Sequence, residues 1–79
     1  MLYGMSEVTG ADATESVAAE IRAALARQRM TQSALADRLG VSHAWVSRRL
    51  SGEVPLTIAD VTQIAAELGV EVSSLTANL

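Results

Sequence analysis

Gly40 stands between two short stretches that each carry apolar residues at helical spacing, and this arrangement constrains the fold more than any other feature of the chain. Leu35, Ala36 and Leu39 form an apolar face ahead of it. Gly40 follows directly, where a helix commonly ends in a left-handed residue that glycine adopts without strain. Thr31 is placed to cap the first of these helices and Ser42 the second, 43–51, in which Val46 and Leu50 stand four apart. Gly52 terminates that second helix. A turn this tight packs the second helix across the first at a steep angle and leaves one helix free to lie in a groove. Within the unit Gln32 opens the first helix, Ala36 is the small residue where the helices approach, Val41 plugs the turn, and Val46 buries the second helix.

The remainder also reads as helix. Asp12-Ala-Thr-Glu15 is a capping-box pattern, so a long helix is expected to begin near Asp12. Val17, Ile21, Ala24, Leu25 and Gln28 follow with helical spacing, and the helix should end around Arg29 or Met30. Residues 1–11 show no period and read as an N-terminal arm ahead of a domain over 12–79. Pro55 makes 53–56 a loop. Thr57 and Asp60 form a second cap-and-acid pair, and Ile58, Val61, Ile64, Ala65 and Leu68 run helically until Gly69. A last short helix should turn Leu75 inward, and Leu79 with it either caps the core or joins Leu75 in a small apolar interface. Val70-Glu71-Val72 alternates, but three residues do not make a sheet. The expected architecture is one all-α domain of five helices.

Composition supports a packed core without covalent help. Of 79 residues 49% are hydrophobic and none is Cys, so neither a disulfide nor a zinc–thiolate site is available. No apolar run is long enough to span a bilayer, and residues 1–15 lack the basic start and apolar stretch of a signal peptide. The expectation is a cytoplasmic protein with no membrane partner. The net charge of −3 argues, taken whole, against a nucleic-acid partner. Its distribution argues otherwise. Residues 21–51 hold all six basic side chains (Arg22, Arg27, Arg29, Arg38, Arg48, Arg49) against the single acid Asp37, a local +5. The segments on either side each carry four acids and no base. Screening over about 8–10 Å lets an anionic partner feel the basic patch by itself, although a solvated arginine face with no partner has the same composition.

Residues 31–52, Thr-Gln-Ser-Ala-Leu-Ala-Asp-Arg-Leu-Gly-Val-Ser-His-Ala-Trp-Val-Ser-Arg-Arg-Leu-Ser-Gly, resemble the helix-turn-helix of lambda-repressor-like (Xre-type) transcription regulators. Pro55-Leu56-Thr57 and Ile64-Ala-Ala-Glu-Leu-Gly-Val70 are similar to that family's fourth helix and its approach to the fifth, so the resemblance covers about residues 14–79. It implies a compact five-helix domain that reads operator sites in double-stranded DNA, often as a repressor of phages, prophages or antitoxin operons. The family's base-reading positions fall on His43, Ala44, Ser47 and Arg48. Arginine can bond two guanine acceptors at once, which favours Arg48, and Ala44 suits a thymine methyl. The backbone-contacting positions fall on Gln32 and Ser42, at helix starts whose amides suit an anion; Thr31 is a further candidate.

Two positions depart from the family pattern. Arg49 stands where an apolar residue is common and Leu50 where a polar one is. Leu50 is therefore expected to take over the core role, with Arg49 turned toward the phosphates. Trp45 has three readings: a press on a sugar or base edge, a stack on Arg49 four residues on, or structural bulk over the core. Arg22, Arg27 and Arg29 decorate the first helix, and His43 has the alternative of a surface residue without a task. Catalysis finds no support. Ser42 and His43 are chain neighbours that diverge by about 100° on a helix, and no metal cluster, cofactor motif or phosphate-cradling glycine loop occurs. A protein-interaction module of the same fold, such as an antitoxin, is the alternative function, suggested by the acidic flanks. Family members commonly dimerise on two half-sites, so a homodimer or a further domain of a longer repressor is expected.

Overall fold

The computed structural model of the protein describes residues 10–79, with side chains from Thr14 onward. Among the described residues five helices follow one another: α1 (Gly10–Gln28), α2 (Gln32–Leu39), α3 (His43–Leu50), α4 (Ile58–Leu68) and α5 (Val72–Leu75). The described residues contain no strand. The arm expected over residues 1–11 falls mostly outside the described residues, apart from Gly10 and Ala11, which are already helical. The expected cap at Asp12 is corrected accordingly: Asp12 is already within the helix.

Three helix ends share one device. After α1 the amide of Met30 donates to Leu25 O (2.9 Å) and that of Arg29 to Ala26 O (3.1 Å). After α2 Val41 donates to Ala36 O (3.0 Å) and Gly40 to Asp37 O (3.2 Å), and after α4 Val70 and Gly69 repeat the pairing on Ala65 and Ala66. This is the Schellman pattern, which requires a left-handed residue and is frequently followed by an apolar one. Gly40 and Gly69 have φ of 73° and 68°. Arg29 takes the same position with φ 54° although it carries a Cβ. The apolar residues that follow, Met30, Val41 and Val70, all pack against the core. The starts are equally local. Thr31 Oγ1 accepts from the Ala34 amide and Ser42 Oγ from the Trp45 amide, both at 3.0 Å. Thr57 and Asp60 close a full capping box on α4.

Every helix contributes to one core: Val17, Ile21 and Leu25 from α1, Leu35 and Ala36 from α2, Val46 and Leu50 from α3, Ile64 and Leu68 from α4, and Leu75 from α5. Burial of side chains this size stabilises by about 1.5–3 kcal/mol each before entropy is counted. Leu50 thus holds the core position expected of it. Leu75 is buried, but Leu79 is 67% exposed, which corrects the expectation that it caps the core. It sits at the end of the chain, beyond the last helical turn that α5 provides.

Side chains from elsewhere satisfy carbonyls that the helix C-termini leave without an intrahelical partner. Arg22 on α1 donates to the Leu50 carbonyl at the end of α3. Gln28 Nε2 donates to Leu68 O (2.8 Å) and an Arg38 guanidinium nitrogen to Glu67 O (3.3 Å), both at the end of α4. Arg22 also meets Glu15 at 3.5 Å. The expectation that Arg22 merely decorates α1 is corrected by these bonds.

Candidate nucleic-acid interface

The turn at Gly40 sets α3 across α2, and α3 presents its polar side outward. Successive helical residues are turned by about 100°. Val46 and Leu50 are buried, so the direction opposite their midpoint, about 180° away, is that of Arg48. His43, Ala44, Ser47 and Arg48 are all exposed, which brings the four expected base-reading residues onto the accessible surface of one helix. Arg48 has no ion-pair partner among the described residues. Its own carbonyl is occupied by the Val54 amide (3.1 Å) and the Ser51 hydroxyl (3.0 Å), which fold the following loop onto the end of α3.

The expected phosphate-contacting residues are placed less uniformly. Ser42 and Thr31 are exposed. Each uses its oxygen as an acceptor for a cap, so each hydroxyl proton remains available to an outside acceptor. Gln32, the first residue of α2, is half-buried. Arg49 is drawn inward, against the expectation that it turns toward phosphates. Its Nε donates to Asp60 Oδ2 at 3.2 Å and a terminal nitrogen donates to the Trp45 carbonyl at 3.2 Å. The guanidinium lies 3.9 Å from the centroid of the Trp45 ring. The cause is a sheltered carboxylate within reach: the two side chains are only 19% and 15% exposed. Trp45 itself is half-buried and packs against the core. Two of its three readings therefore hold together, the stack on Arg49 and the cover over the core.

The arginine cluster consequently divides. Arg22, Arg38 and Arg49 spend donors on carbonyls or carboxylates within the fold, although only Arg49 is half-buried, while Arg27, Arg29 and Arg48 are exposed without such bonds among the described residues. Reading by residue type did not separate these groups. The partners of Arg22, Arg38 and Gln28 lie 28, 29 and 40 residues away, and no local pattern marks them. The Arg49–Trp45 contact, four residues apart, was within reach of helical spacing. Its Asp60 partner lies across a loop and was not.

A short capped helix, crossed over another by a left-handed glycine and showing a polar outer face, defines a helix-turn-helix DNA-binding domain. The chain belongs to the lambda-repressor-like (Xre-type) helix-turn-helix family, whose profile, described as helix-turn-helix, matches residues 21–75. No curated protein and no solved structure matches it. Family membership makes the protein a DNA-binding transcription regulator. No helix among the described residues is long and apolar enough to cross a membrane.

Proposed function

We propose that the protein is a sequence-specific repressor that occupies an operator in double-stranded DNA. In this reading α3 enters the major groove, His43, Ala44, Ser47 and Arg48 read base edges, and Gln32, Ser42 and Thr31 hold the flanking phosphates. The observation that carries it is the position of Arg48. It is the residue of α3 directed most squarely away from the buried Val46 and Leu50, and it is exposed. A bidentate arginine–guanine pair discriminates by about 1–3 kcal/mol, whereas phosphate contacts supply affinity without sequence information. Selection of bound duplexes from a random pool tests the reading. The expected outcome is a short enriched motif containing guanine, and enrichment of no motif refutes it.

An apolar groove of about 230 Å³ runs among Val17 of α1, Leu56, Ile58 and Val61 around the start of α4, and Val72 and Leu79 at the C-terminal end. Ile58 is 85% exposed there. This surface supports pairing of two copies on adjacent half-sites about one helical turn apart. It also supports the second reading, a module of this fold that neutralises a partner toxin. Failure to bind any duplex at low salt, together with a stoichiometric protein partner, favours that second reading.

A further inference from the structure

Two arginines stand side by side on α3, yet only Arg48 faces outward. The helix turns Arg49 by about 100° from Arg48, and the Asp60 carboxylate holds its guanidinium there. Asp60 Oδ2 accepts from Arg49 Nε at 3.2 Å and from the Thr57 amide at 3.1 Å. One oxygen thereby ties the last turn of α3 to the first turn of α4. Arg49 completes the arrangement with a second bond to the Trp45 carbonyl and its stack on the Trp45 ring. Exposed ion pairs contribute little. This one is sheltered, has a charge-assisted hydrogen bond, and is covered by an aromatic face, which are the conditions under which such contacts hold a side chain in place.

We propose that Asp60 is a positioning residue for DNA reading: it holds Arg49 off the phosphate backbone and against Trp45, leaving Arg48 as the one outward arginine of α3. The proposal rests on the DNA-reading role of that helix. Its consequence is a balance between two kinds of contact. Each phosphate neutralised adds affinity for every sequence alike and steepens the dependence on salt. By withholding Arg49, Asp60 keeps one such contact from forming, so base reading carries a larger share of the binding. The Trp45 ring is fixed by the same clamp at the edge of the exposed face.

The test is a salt series of affinities for a duplex selected by the intact chain. Asp60→Asn retains a side-chain oxygen for the Thr57 amide and removes the charge that holds Arg49. The slope of log K against log salt is expected to steepen by about 0.9, the increment for one added phosphate on duplex DNA, and discrimination against a scrambled duplex to fall. Arg49→Gln is expected to leave the slope at the wild-type value, and the double variant to return to it. Trp45, the only tryptophan, should report loss of the stack in Asp60→Asn through a changed emission spectrum. A purely structural Asp60 lowers affinity without steepening the slope, and that result overturns the proposal. So does Arg49→Gln with a slope shallower by about 0.9, which means Arg49 already touches a phosphate. If Asp60→Asn does not fold, an Arg49→Gln slope shallower by about 0.9 still overturns the proposal. A wild-type chain that binds no duplex overturns both the DNA-reading role and this proposal, whereas wild-type binding with an unmoved Asp60→Asn slope removes only the latter.

Discussion

Replacing Gly40 by alanine isolates the backbone term of the turn that positions the reading helix. Gly40 has φ 73° and ψ 31°, and a Cβ built there meets nothing within 4 Å. No steric collision with the rest of the fold contributes, so the cost is the conformational one. An L-residue in this region costs about 1–2 kcal/mol. Alanine recovers about 0.4–1 kcal/mol by restricting the unfolded chain. Gly40→Ala should therefore destabilise by roughly 0.8 kcal/mol, the difference of the two mid-range values, a fall of about 3–6 °C in Tm for a domain of this size. Arg29 offers the reverse experiment. It occupies the equivalent place after α1 with φ 54° and already bears a side chain, so Arg29→Gly should raise Tm by a similar few degrees. Thermal melts followed by circular dichroism compare the two. Gly40→Ala melting at or above the wild type, or Arg29→Gly melting below it, would refute the claim that left-handed backbone geometry governs both helix ends.

Further expectations follow from the packing. Leu50→Ala should cost about 2–5 kcal/mol, since Leu50 is fully buried where α3 meets the core; chemical denaturation measures it. Gln28→Ala should lose about 1 kcal/mol with its bond to the Leu68 carbonyl, and duplex affinity, read by fluorescence anisotropy, should stay at the wild-type level. Ile58→Lys changes an 85% exposed side chain, so stability should shift by no more than about 0.5 kcal/mol. Sedimentation should then show loss of any self-association that uses the apolar groove.

What the sequence disclosed was local. Thr31, Gly40, Ser42, Thr57, Asp60 and Gly69 each act on amides or carbonyls within a few residues, so their roles follow from position alone. The outward direction of Ala44 and Arg48 follows from the spacing of Val46 and Leu50 by the same logic, whereas the exposure of His43 and Ser47 does not. Arg29 escaped because a left-handed turn carries no residue-type mark when glycine is absent. Arg22, Arg38 and Gln28 escaped because the carbonyls they satisfy are brought close only by tertiary packing. Arg49 shows the competition most clearly. Its departure from the family pattern was visible, but the choice between a phosphate and Asp60 depended on where the start of α4 comes to rest against α3.

On the proposed reading, Arg48 contacts a base edge. Duplex selection repeated with Arg48→Ala and compared position by position with the wild type addresses it most directly. One guanine of the motif is expected to lose its enrichment, with about 1–3 kcal/mol of discrimination lost there and the rest of the motif retained. An unchanged motif, or a uniform loss of affinity across all sequences, would contradict it.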